Sequence, residues 1–148
     1  MSLARSFRWL AVAAVALVLS SAPASAQMRE RITAEQLAGL LRDKGLQGTV
    51  NEKGNVLVTA NGSKILFLIS GQTVQAYFGL SGTSANMHTV NEWNKAKRFG
   101  RAYIDGDGDP CVELDYDLEG GVSDESIKVW FDTVTAVVKS FRTAVSSK

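Results

Sequence analysis

The run Asp105-Gly106-Asp107-Gly108-Asp109 carries the most suggestive chemistry in the chain, because carboxylates at alternate positions can ligate calcium. A calcium loop of the helix-loop-helix type continues with a glycine at its sixth position and a bidentate glutamate at its twelfth. Here those positions are Pro110 and Tyr116, and residues alternating with period 2 run up to the motif on both sides. An Asp/Gly hairpin turn accounts for the same residues without a metal. Weak calcium binding by Asp105, Asp107 and Asp109 is the alternative; no other metal and no cofactor is expected.

Catalytic constellations are missing. His88 is the only histidine and Cys111 the only cysteine, and the cysteine sits in an acidic strand that would raise its thiol pKa rather than activate it. No serine lies in a nucleophile-elbow pattern. Glu113 and Asp115 share a strand face, but Arg98 and Arg101 nearby would keep both ionised instead of letting one hold a proton. Gly79-Leu80-Ser81-Gly82 lacks the lysine of a phosphate loop. No catalytic residue is assigned, and the chain is not expected to be an enzyme.

Lys95, Lys97, Arg98 and Arg101 cluster beside Trp93, Phe99 and Tyr103, a mixture that single-stranded nucleic acid could use. The whole chain carries 16 basic and 15 acidic residues, a net charge of +1, and so has no long-range field to draw a polyanion. The cluster is expected instead to offset a helix dipole and to pair with strand carboxylates. Asn91 and Asn94 lie one helical turn apart. A buried asparagine must be hydrogen-bonded, so these amides are expected to tie their helix to neighbouring backbone, with ligand contact as the alternative. Asn91, Trp93, Asn94, Arg98, Arg101 and Tyr103 together form the candidate surface for a protein partner.

The elements that position these residues follow from periodicity. Thr33-Ala34-Glu35-Gln36 is a capping box opening a short amphipathic helix over about 33–44, with Gly45 as its left-handed stop. From Gly48 the period becomes 2. Asn61-Gly62 is a tight hairpin turn that sets Val58 opposite Ile65 and Val56 opposite Phe67. A second turn at Ser70-Gly71-Gln72 leads into Val74, Ala76 and Phe78, and Gly48 to Asn51 adds an edge strand. Thr83 or Ser84 would cap a helix over about 85–98. Beyond it a hairpin pairs Ile104 with Val112, Arg101 with Asp115 and Tyr103 with Glu113. Ser123 then caps the longest helix, whose Ile127, Trp130, Phe131, Val134, Val137, Val138, Phe141 and Val145 make one apolar stripe. The expected fold is α+β: an antiparallel sheet, a meander of three to four strands plus a C-terminal hairpin, packed against three helices in the order α-β(3-4)-α-β-β-α.

The N-terminus reads as an address. Arg5 and Arg8 precede the apolar run Leu10 to Leu19, and Ala24-Ser25-Ala26 supplies small residues for signal peptidase. The run is far short of the roughly 20 residues that span a bilayer. A secretory signal over 1–26 is therefore expected, cleaved after Ala26, with 27–32 a short lead-in, 33–148 a single domain and no membrane anchor left. Losing Arg5 and Arg8 leaves 14 basic against 15 acidic residues, a net charge of −1. The destination is periplasm or medium, where a lone cysteine cannot form an intrachain disulfide.

Asn91-Glu92-Trp93-Asn94, Arg98-Phe99-Gly100-Arg101-Ala102-Tyr103, Asp105 to Pro110 and Gly120-Gly121-Val122-Ser123, followed by a long helix, resemble the YbjN domain family, bacterial proteins labelled sensory transduction regulators. The resemblance runs from Thr33 to about Phe141. It implies a fold like that of type III secretion chaperones and a non-enzymatic part in protein interaction or regulation, with a protein partner that could be a second copy. It supplies no catalytic residue.

Overall fold

The Thr33 hydroxyl accepts from the Gln36 backbone N–H at 3.3 Å while the Gln36 side chain accepts from the Thr33 N–H at 3.0 Å, and this reciprocal cap starts α1 (Ala34–Asp43). Gly45, at φ +75°, ends it. The computed structural model describes residues 28–146, so the expected signal peptide lies outside the described residues.

Four strands follow α1: β2 (Gly48–Val50), β3 (Val56–Ala60), β4 (Ser63–Ser70) and β5 (Thr73–Gly79). Asn61 and Gly62, at φ +51° and +73°, make the turn in which both central residues are left-handed, and Val58 faces Ile65 and Val56 faces Phe67 as expected. After α2 (Met87–Ala96) come β6 (Arg101–Ile104) and β7 (Pro110–Asp117), and then α3 (Asp124–Ser146). The six strands form one antiparallel sheet in the order β2-β3-β4-β5-β7-β6. This is the α+β architecture read from periodicity.

One face of the sheet holds the core. Val56, Val58, Ile65, Phe67, Val74, Ala76, Phe78, Ala102, Val112 and Leu114 are all buried beneath the helices. All eight residues of the α3 stripe are buried with them. Phe67 meets Trp130 and Phe131 edge-on, with ring centroids 5.8 and 5.6 Å apart.

Two expectations are corrected, and the lead-in gains an element. The lead-in is partly a strand: β1 (Met28–Arg29) pairs with β8 (Val122–Ser123), and the Arg29 guanidinium grips Asp124. The cap of α2 is Asn86, whose side chain accepts from the N–H groups of His88 and Thr89 at 3.0 and 3.2 Å; Thr83 and Ser84 remain in the preceding loop. The last hairpin is shifted by two residues, so that Arg101 faces Glu113, Tyr103 faces Cys111 and Ile104 faces Pro110. A slip of two keeps every side chain on its face, so alternation could not detect it.

Asn94 secures the outer edge of that hairpin. Its amide N–H donates to the Ala102 carbonyl and its carbonyl accepts from the Ala102 N–H, both at 2.9 Å. The side chain thus takes the two peptide groups that an incoming strand would otherwise use. Asn94→Ala is expected to cost roughly 1 kcal/mol in chemical denaturation, the low end of the range for a stranded peptide group, since water can partly replace the amide here.

Candidate functional site

The segment that joins α2 to β6 is pressed tightly against its neighbours at Gly100. Lys97 leaves the helix in extended conformation (φ −122°, ψ 156°), and Gly100 lies so close to Trp93, Val112 and Val137 that a β-carbon there would come within 2.9–3.1 Å of them. Between them Phe99 adopts φ +69°, a left-handed conformation unusual for a bulky residue. Its ring is turned outward and is 74% exposed. Lys97, Arg98 and Arg101 are exposed around it.

Phe99 is one of the residues lining a groove of about 400 Å³, with Leu114, Asp115, Tyr116, Ser126, Val129, Trp130 and Thr133. The Tyr116 ring stacks on Trp130 at a centroid distance of 5.0 Å, and its hydroxyl lies 2.6 Å from the Ser126 hydroxyl. Val129 is itself 56% exposed on α3. Phe99 and Val129 are outside the six residues that the sequence marks as partner contacts. The only signal was an aromatic residue between Arg98 and Gly100 inside a basic run.

Of the six residues expected to meet a partner, Arg98 is exposed in this loop, Arg101 is exposed at the start of β6 and Asn91 is exposed on α2. Tyr103 is half-buried and donates its hydroxyl to Glu113 Oε1 at 2.6 Å, beside the Arg101–Glu113 ion pair. Asn94 is occupied by Ala102. Trp93 is only 4% exposed and packs edge-on against Phe141 at 5.3 Å, so it is a core residue and not an available contact.

Burial would push the Glu113 carboxyl up, but the Tyr103 hydroxyl and the Arg101 guanidinium outweigh it and hold the group below the usual carboxylate range. Asp124 is lowered by its bond to Arg29, against the opposing effect of burial. Carboxylates with depressed folded-state pKa values contribute stability above their unfolded values, near pH 4, and lose it as pH falls through the folded values. Thermal melts from pH 6 to pH 3 should therefore show the melting temperature falling below about pH 4. Glu113→Gln should flatten that fall, and an unchanged profile would mean that the cluster does not act as an acid-labile tie.

The Asp/Gly run is a turn whose first carboxylate is spent on its own backbone. Asp105 Oδ1 accepts from the N–H groups of Asp107 and Asp109 at 3.0 and 2.9 Å, and Gly108 sits at φ +86°. These bonds, led by that from Asp109, keep the Asp105 carboxyl below its usual value. Asp105, Asp107 and Asp109 also border a hollow on the outer sheet face next to Leu57, Leu66 and Tyr77. Among the described residues no group of three or more His, Cys, Asp or Glu side chains is arranged to hold a metal ion.

Cys111 has outward parity on β7, yet its side chain is fully covered. Its sulfur lies 3.0 Å from the Tyr77 hydroxyl and donates to Asp105 Oδ2 at 3.3 Å. Burial pushes the thiol up to about 11, so thiolate chemistry and a disulfide to a second chain are both closed to it in this conformation.

Comparison with known proteins agrees with the architecture. The SycH type III secretion chaperone of Yersinia pestis, crystallised in complex with a stable fragment of YscM2, superposes with a TM-score of 0.54 over 76% of this chain and 99% of its own. At 18% identity that likeness shows a shared fold and nothing more. No curated protein matches the chain. The YbjN family model, described as "Putative bacterial sensory transduction regulator", matches residues 33–147. That span takes in every element from the Thr33 cap to the end of α3, the Phe99 loop and the Asp/Gly turn included, and the chain accordingly belongs to the YbjN family.

Proposed function

We propose that the protein is an exported, non-enzymatic regulatory or chaperone-like module that binds a protein partner in the bacterial envelope through the Phe99 loop and its groove. One observation carries this reading: a bulky aromatic side chain is held largely in water in a left-handed backbone conformation while lining a mainly apolar groove. Such a conformation costs free energy, and strain of this kind is found where a surface is built to meet something. Exposed aromatic and arginine side chains are also the residue types that dominate binding energy at interfaces.

The family description as a sensory transduction regulator supports the class of function, and the crystallised chaperone of like fold holds a protein fragment. The charge signature of residues 1–26 supports export, with periplasm or medium as the destination. A partner met after export would be an envelope protein rather than a cytoplasmic one.

Phe99→Ser tests the reading without disturbing the core. Because the ring is exposed and the backbone strained, stability should change by no more than about 0.5 kcal/mol. Quantitative pull-down from envelope extracts should lose the wild-type partner at least tenfold, the cost of removing one interface anchor of about 1.4 kcal/mol or more. Equal recovery by a normally folded Phe99→Ser protein would sink the proposal.

A further inference from the structure

The sheet ends unevenly beside Phe99. β5 pairs with β7 from Cys111 to Asp117, but β6 covers the other side of β7 only from Pro110 to Glu113. Among the described residues no strand lies along that side from Leu114 to Asp117. The reason is local: the left-handed Phe99 and the tightly packed Gly100 turn the chain away from β7 just before Arg101.

Hydrogen bonds flanking the strand fix the direction of its peptide groups. The Leu80 N–H donates to the Pro110 carbonyl and the Leu118 N–H to the Gln72 carbonyl, so even-numbered residues of β7 face β5. The Asp105 N–H donates to the Asp109 carbonyl across the turn, so odd-numbered residues face β6. Asp115 and Asp117 therefore direct their backbone N–H and C=O groups at the uncovered edge. On β6 the corresponding groups of Ala102 are taken by Asn94; here no side chain of the described residues does the same.

The two sides of this edge differ in chemistry. Toward the helices lies the groove of Leu114, Tyr116, Val129, Trp130 and Phe99. On the outer face stand the exposed Asp115 and Asp117, and Asp115 also borders the groove. Gln75 donates to Asp115 Oδ1 at 2.8 Å, and Arg101 is already bound to Glu113. A strand laid along the edge would send alternate side chains into the apolar groove and set the others beside carboxylates.

A second copy fits poorly. Isologous pairing that used both free residues would set Asp115 of each copy opposite Asp117 of the other, and like charges directly opposite destabilise a strand pair. We infer that the Leu114–Asp117 edge is a strand-addition site for an extended segment of a partner protein, with apolar residues at alternate positions and lysine or arginine between them. This rests on the partner-binding reading above and supplies the chemistry of the partner.

The test uses the isotope-labelled exported protein and three capped seven-residue peptides: alternating valine and lysine, the same with glutamate for lysine, and the lysine peptide with alternate backbone nitrogens methylated. The lysine peptide should bind at least tenfold more tightly than either of the others and should slow hydrogen exchange at the Asp115 and Asp117 amides at least tenfold. Asp115→Lys with Asp117→Lys should reverse the preference toward the glutamate peptide. Equal binding of the methylated peptide, or protection appearing elsewhere, would overturn the inference. So would a dimer in sedimentation with these two amides already protected, which would make the occupant a second copy. If Phe99→Ser loses the envelope partner while no peptide protects Asp115 and Asp117, the edge is refuted and the Phe99 surface stands. If Phe99→Ser keeps the partner, the underlying reading fails first.

Discussion

Phe141→Ala is expected to lower the unfolding free energy by about 3–5 kcal/mol, the range for deleting a fully buried phenylalanine. Phe141 has no exposed surface and stands where three elements meet. From α3 it packs edge-on against Phe78 of β5 at 6.4 Å and against Trp93 of α2 at 5.3 Å. Its neighbours are fixed by a central strand and a capped helix, so the cavity cannot close cheaply. Against the 5–15 kcal/mol total of an ordinary domain, the loss is a large share. Chemical denaturation checks it, with Val129→Ala as the companion. Val129 lies on the same helix but is 56% exposed, and its truncation should stay within about 0.5 kcal/mol. Similar losses for the two would mean that α3 does not bury the stripe described.

What could be read from the residues was whatever is decided locally. Thr33 and Gln36 are three positions apart and make their cap without help, and Asn61-Gly62 forms its turn because both residues accept positive φ. The α3 stripe needs only a helix and water to choose its buried face. The sheet order with β7 between β5 and β6 was not legible, since alternation fixes faces and not neighbours. The two-residue shift of the last hairpin was set by the Asp105 carboxylate closing onto Asp107 and Asp109, which moves the first strand pair to Ile104 and Pro110. β1 depends on Arg29 meeting Asp124, a contact spanning 95 positions of sequence.

The candidate residues are near one another in sequence, and sequence alone does not separate the buried from the exposed among them. Trp93 and Phe99 are both aromatic residues beside basic ones, and sequence offers no way to say which is inside. The structure buries Trp93 and exposes Phe99, because the chain reverses its backbone hand at Phe99 and presses Gly100 into the core. The tie to neighbouring backbone expected of Asn94 is present, and the backbone it holds is the edge strand β6.

Gly100→Val should therefore be costly to the fold and to binding together. A β-carbon at Gly100 would lie 2.9 Å from Trp93 Cη2 and 3.1 Å from Val112 Cγ2 and Val137 Cγ1. These atoms belong to α2, β7 and α3, so no single side chain can step aside. Overpacking of this kind costs about 1–3 kcal/mol, and two further methyl groups place valine at about 3 kcal/mol or beyond. The chain can escape only by lifting the loop, which carries Phe99 away from its groove. Gly100→Val should then lose both melting temperature and envelope-partner recovery, where Phe99→Ser loses recovery alone. Adding a Leu or Ile at Val129 would not restore binding, because the missing part is the position of Phe99 and not apolar area. A Gly100→Val protein that melts with the wild type would show that the loop yields freely, and the strained pose of Phe99 would then have no support from the core beneath it.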